Sequence, residues 1–191
     1  MVKISIEKLR KLLPSLHLLE GITVFGIRFS ESRIDYFDDL IGFIWKGEAY
    51  IAKATTSPGL YWMQNPMRAT GCARLKPGYY QSCWLKGKHK GKPGLVQSPK
   101  AKFIVQRDDN LDEKFDESSP EYKDTQGLNM HRASANTQRV WKWSAGCQVF
   151  QREDDFIFFW NYVMLDVYQY VSYPLFDYAG TSDEFIASAL S

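Results

Sequence analysis

Residues 127–150 read GLNMHRASANTQRVWKWSAGCQVF, and the order of residue types in this stretch shapes the expectation for the rest of the chain. An apolar run, GLNMH, ends on His131; a polar connection covers 132–142; WSAGCQVF then sets a glycine and a cysteine at a turn before a second apolar run. Glu153, Asp154 and Asp155 follow, acids that suit the positive end of a helix, and Phe156, Phe159, Trp160 and Val163 repeat at i, i+3, i+4 and i+7. The pattern predicts a strand ending in histidine, a cysteine turn and a helix directly after the cysteine.

Working outward, the runs ITVFGIRF, DLIGFIW, EAYIAKATT, ATGCARL, GYYQSCW, GLVQ and KFIVQ are β-rich and are separated by Gly, Pro, Ser and Lys/Gly clusters. VYQYVSYPLF predicts a returning strand, and 183–190 a short terminal helix. The fold class is therefore mainly β. Ahead of it, Ile6, Leu9, Leu12, Leu13 and Leu16 recur at helical spacing with Pro14 limiting the run, which predicts an N-terminal docking helix within 1–20 and a single domain over 21–191. His17, at the end of that helix, reads as structural.

A length of 191 residues suits one well-buried core, and 15% aromatic, 45% hydrophobic and 24% charged residues suit a globule rather than a disordered chain. No stretch approaches the ~20 apolar residues that span a bilayer, and the first residues lack the unbroken apolar core of a signal peptide. The expectation is a product made in the cytoplasm, with no membrane partner, that reaches a periplasm or cell wall by release or delivery. The net charge of +2 conceals a basic segment, Lys86 to Lys102, followed by an acidic one, Asp108 to Asp124, that includes Glu117; Asp108 to Gly127 reads as a long surface loop or lid. Neither an aromatic platform nor a helix-turn-helix pattern accompanies the lysines, so a nucleic-acid partner is not expected.

Three cysteines cannot all pair, and none forms C-x-x-C; Cys72 and Cys83 sit among apolar residues and read as buried thiols. Cys147 differs. Gly146 lets the backbone bend closely, the following helix directs its positive end at the turn, and the N–H groups of Gly146 and Cys147 are candidates for an oxyanion hole. A thiolate nucleophile needs a base, and His131, one of three histidines, ends a strand fifteen residues earlier in the chain. Ser144 is placed as a supporting residue of the turn. A zinc site built on His89 and His131 lacks the third ligand such a centre takes, and a calcium loop at Asp108–Asp112 lacks the EF-hand glycine and glutamate, so no metal and no cofactor are expected.

Taken together, TTSPGLYW (55–62), GLNMH (127–131), SAGC (144–147), the acid-capped aromatic helix and the final strand resemble the L,D-transpeptidase (YkuD-like) family over about 45–175, in the same order along the chain. The resemblance implies a β-sandwich in which Cys147 attacks a peptide carbonyl of a peptidoglycan stem peptide to give a thioester, His131 takes the thiol proton, and a backbone carbonyl near 132–134 orients the imidazole. It also places substrate near Arg132, Ser134 and Gln148. Tyr61 and Trp143 are assigned to the cleft, while most of Trp62, Tyr79, Tyr80, Trp84 and Trp141 should be core.

Departures from that family are specific. Arg132, Ala133 and Ser134 stand where it has a glycine and a hydroxyl, Ala145 replaces its histidine within S-H-G-C, and Val149 stands where a basic or amide residue is usual, with Gln148 one place early. These leave attack by sulfur intact and favour water over an amine as acceptor. The expectation is a wall-degrading L,D-carboxypeptidase or endopeptidase of a phage lysin or effector type, set against an inactive cell-wall or virion binding module.

Overall fold

Runs rich in Val, Ile, Phe and Tyr form strands, and short amphipathic segments form the helices around them. A computed structural model describes residues 1–116, 119–124, 127–134 and 137–191, so Glu117 of the acidic segment lies outside it. In chain order the elements are β1 (Val2–Ile4), α1 (Ile6–Leu12), β2 (Thr23–Phe29), β3 (Asp39–Trp45), β4 (Glu48–Thr55), α2 (Leu60–Gln64), β5 (Ala73–Leu75), β6 (Gly78–His89), β7 (Lys92–Gln97), β8 (Phe103–Arg107), β9 (Glu121–Asp124), β10 (Met130–Arg132), β11 (Gln148–Phe150), α3 (Glu153–Leu165), β12 (Tyr170–Tyr178) and α4 (Ser182–Leu190). Among the described residues no helix is long and apolar enough to cross a membrane.

The mainly β class is as expected. β3 bonds β2 on one edge and β4 on the other, so the order β3-β4-β11-β10-β7-β6-β12-β2 returns to β3 and eight strands close into a ring, with β1 added to β4. Closure leaves few bare edges. The ring is thin beside β10 and β11, where one registered pair, Met130 with Leu95, joins β10 to β7 and two pairs join β11 to β4. Among the described residues only β10–β11 and β12–β2 run parallel. A second, three-stranded sheet has the order β5-β8-β9.

Every residue of β2 is buried, because this part of the sheet is covered on both faces. Val24, Ile41, Phe43, Ala52 and Ala54 face the interior with Trp84, Leu95, Tyr173 and, from α3, Phe156, Phe159 and Val163. Phe25, Ile27, Leu40, Ile44 and Ile51 face the other way, where Leu9, Leu13 and Leu16 of the N-terminal segment and Phe185 and Ala189 of α4 cover them. A buried charge is held between these layers: the Arg28 guanidinium donates to Thr56 Oγ1 (2.9 Å), Thr56 O (2.8 Å) and Leu75 O (2.9 Å), while Asp39 accepts from the Thr56 amide (2.8 Å) and hydroxyl (2.7 Å). The network pins the end of β4, and so the TTSPG segment that leads to α2.

Local structure departs from the sequence expectation at four places. LYW within TTSPGLYW lies in a helix, α2, outside the β-rich runs, where the Gly59 amide donates to Ser144 O and the Leu60 amide to the Asp35 carboxylate. The Lys/Gly cluster does more than separate strands: β6 and β7 run through it as a hairpin turning at Lys90 and Gly91, both at positive φ. β9 forms inside the acidic segment because β8 offers it an edge. His17 is exposed instead of lying among leucines.

Candidate active site

Parallel pairing of β10 with β11 brings the two candidate reactive residues to one surface. Met130 lies opposite Gln148, His131 opposite Val149 and Arg132 opposite Phe150. Side chains alternate along a strand, so Met130 and Phe150 enter the interior cluster, and His131, Val149 and Cys147 share the outer face. There Cys147 and Val149 pack with Phe37, Ala133 and Val140.

The turn that delivers Cys147 is internally tied. Ser144 Oγ accepts the Gly146 N–H (3.1 Å) and donates to Cys147 O (2.8 Å), and Ser144 O accepts the Gly59 N–H (2.9 Å). Ser144 is fully buried and shapes the turn. Gly146 has φ +122°, and a Cβ there would stand 2.6 Å from Ala73 O. Its close approach is thus to β5 and not to an incoming substrate. Because the Gly146 amide is taken by Ser144, the Cys147 amide, which meets no acceptor among the described residues, is the remaining donor of the expected oxyanion pair.

His131 is 7% exposed. Its Nδ1 lies 3.0 Å from Arg132 O, the backbone carbonyl expected to orient the ring. A carbonyl only accepts, so Nδ1 carries the proton and Nε2 the lone pair. Nε2 is buried and without a hydrogen-bond partner among the described residues. Burial, reinforced by the cations Lys90 and Arg132, holds the imidazole down at about 4, so it is neutral at pH 7. Burial likewise pushes the Cys147 thiol up, against smaller opposing effects of the Asn129 backbone and Lys90. At rest the pair is thiol and imidazole. The thiol donates to Gly127 O at 3.5 Å, and no hydrogen bond joins it to the imidazole.

A cleft of about 410 Å³ opens over His131, lined by His89, Lys90, Lys92, Pro93, Arg132, Ser134, Lys142, Trp143 and Glu153. Three expected substrate contacts, Arg132, Ser134 and Trp143, therefore line it. Arg132 is paired with Glu153 (2.6 Å), which leaves Lys90, Lys92 and Lys142 as a cationic rim. Two expected contacts are elsewhere. Gln148 is fully buried on the inner face, donating to Gly146 O (3.4 Å) and accepting from Tyr173 OH (3.0 Å), because the parity that turns Cys147 outward turns its neighbour inward. Tyr61 sits on α2 beneath the Lys142 ammonium (4.1 Å) and edge-on to Trp141 (5.6 Å), outside the cleft lining.

Other participants carry no local signal. Asp35, 1% exposed and at φ +74°, accepts from the Leu60 amide (2.9 Å), the Trp141 amide and Arg139 Nε (2.5 Å), and so joins α2 to the segment entering the cysteine turn. His89 stacks on His131, with centroids 4.4 Å apart and planes 13° from parallel. The stacked rings present faces, not nitrogens, to each other, and among the described residues no three His, Cys, Asp or Glu side chains are grouped to hold a metal. All three cysteines are free and buried; Cys72, whose Sγ lies 3.8 Å from Ala145 O, is pushed up by burial to about 12. Compared with family models, with curated proteins and with solved structures, the chain matches none of them.

Proposed function

We propose that the protein is a cysteine acyl-transfer enzyme of a divergent L,D-transpeptidase-like kind, acting hydrolytically on peptidoglycan stem peptides. The observation that carries the reading is the shared outer face of β10 and β11: Cys147 and His131 are diagonal neighbours there, and His131 keeps an unpartnered Nε2 lone pair while its Nδ1–H is tied to Arg132 O. On this reading the ring, thinnest beside β10 and β11, is a divergent form of that family's sandwich.

Chemistry then follows from the neutral resting pair. His131 Nε2 takes the Cys147 proton as sulfur adds to the peptide carbonyl, the Cys147 amide supports the developing oxyanion, and the imidazolium returns the proton to the departing amine, leaving a thioester. Water, deprotonated by the same nitrogen, releases the acid and restores the thiol. Sulfur must first leave Gly127 O, a motion that substrate binding supplies, since catalytic hydrogen bonds commonly tighten only in the complex. Lys90, Lys92 and Lys142 suit the carboxylates of a stem peptide. Val149, fully buried beside Cys147, offers no polar group to an acceptor amine, which favours water.

A second reading, a cell-wall or virion binding module, is favoured by the thiol's bond to Gly127 O and its elevated pKa. The test is incubation with purified muropeptides, with and without a D-amino acid, followed by mass spectrometry of products and of intact protein. An acyl mass on Cys147 with loss of a terminal residue or opening of cross-links supports the hydrolase, and exchange of the terminal residue would make it a transferase. Unchanged muropeptides that nevertheless bind would favour the module.

A further inference from the structure

The basic hairpin brings a second histidine to the candidate base. We propose that His89 is a positioning residue for His131: Asn129 locks it in the neutral tautomer protonated on Nε2, and in that form it stacks on the His131 ring and fixes its plane. The lock itself is independent of function; its consequence for catalysis rests on the reading of His131 as base.

The argument is a chain of donors and acceptors. The Gln97 backbone N–H donates to Asn129 Oδ1 at 2.9 Å, and a backbone amide has nothing else to offer, so the orientation of the Asn129 carboxamide is set. Its Nδ2 therefore points hydrogens at His89 Nδ1, 2.9 Å away. Nδ1 must accept, and the single proton of a neutral ring belongs on Nε2. An imidazolium at His89 would set N–H against N–H at this contact. His131 holds the opposite tautomer, because Arg132 O requires a proton on its Nδ1. Two neutral rings of complementary tautomer thus lie face to face.

Other charges nearby make this neutrality matter. His131 faces Lys90 from the β6–β7 turn, Arg132 on its own strand, and Lys92 and Lys142 across the cleft, with Glu153 engaged by Arg132. A cationic His89 would add the nearest positive charge of all. Held neutral, it offers a ring face to the imidazolium that forms when Cys147 attacks, and its bulk keeps water from the buried side of the base.

Imidazole nitrogen correlation spectra of the ¹⁵N-histidine-labelled full chain, between pH 5 and 8, test the lock directly. Expected where each ring is neutral are a proton on Nε2 of His89 and on Nδ1 of His131. Asn129→Asp, whose carboxylate accepts, should move the His89 proton to Nδ1 or make the ring cationic at neutral pH. His89→Ala should let His131 titrate closer to its ordinary range, and His89→Phe, which keeps a flat ring, should restore the wild-type behaviour. A proton on His89 Nδ1 in the wild type, or a His131 titration indifferent to His89→Ala, overturns the proposal. Alkylation of Cys147 is followed in the same variants: if His131 shifts as expected but the alkylation profile does not follow, the lock stands and the reading of His131 as base falls.

Discussion

Replacing His131 with glutamine should remove a large part of the protein's sensitivity to acid. Burial holds the imidazole at about 4, against 6.5 for a free histidine, so the unfolded chain takes up a proton between those values that the folded protein refuses. With more protons bound in the unfolded state, stability falls as pH falls: it is full above about 6.5 and is lost progressively down to about 4. At 1.36 kcal/mol per pKa unit, the displacement corresponds to about 3 kcal/mol, a large share of the 5–15 kcal/mol that ordinarily holds a domain together. Urea unfolding followed by fluorescence of the six tryptophans, at steps from pH 7.5 to 4.5, measures it. Asp38 and Asp108, which burial raises, act with the opposite sign, but they are present in both proteins and cancel in the difference. The wild type should lose about 2.5 kcal/mol more than His131→Gln over this range, the remainder falling below pH 4.5. Parallel pH curves for the two proteins would refute the buried neutral imidazole, and with it the resting state assigned to the site.

Three further outcomes are expected. Alkylation of Cys147 by iodoacetamide should rise about tenfold per pH unit from pH 6 to 8, because burial keeps the thiol protonated, and should exceed that of Cys72 and Cys83; a plateau below pH 7, read by peptide mass spectrometry, would reveal a thiolate–imidazolium pair instead. Gly146→Ala should destabilise by about 1–3 kcal/mol, since φ +122° and the Ala73 carbonyl 2.6 Å from the added carbon both oppose it, and an unchanged midpoint in urea would show that β5 yields. Gln148→Leu strands the Tyr173 hydroxyl in the interior at a cost of about 1–3 kcal/mol while leaving Cys147 alkylation in the folded protein unaltered; loss of alkylation with retained stability would place Gln148 at the cleft after all.

Legibility in the sequence tracked how local each interaction is. β2, β3, β4, α3 and α4 are each written in their own residues, by β-branched and aromatic runs or by acids ahead of an i, i+3, i+4 stripe. The strand that ends in His131 and the glycine turn before Cys147 were legible for the same reason, being short-range features, and so is the Arg132 carbonyl that receives the imidazole. Gln148 misled because it adjoins the cysteine in sequence, whereas alternation puts it on the other face. The lysine hairpin misled because Lys90–Gly91 is not among the strong two-residue turn signals, so the arm of a hairpin read as a separator between strands.

Residue types alone determined a mainly β chain with one cysteine set at a glycine turn ahead of a helix, since propensity and periodicity act within a few residues. Tertiary structure decided the rest: that β3 closes the ring, that β10 and β11 pair in parallel so that His131 and Cys147 share a face, and that His89 and Asn129, forty residues apart, meet. Those outcomes depend on strand register, and a slip of one residue would exchange inner for outer side chains along the strand. Register is chosen by burial across the whole sheet, and no single stretch of residues contains it.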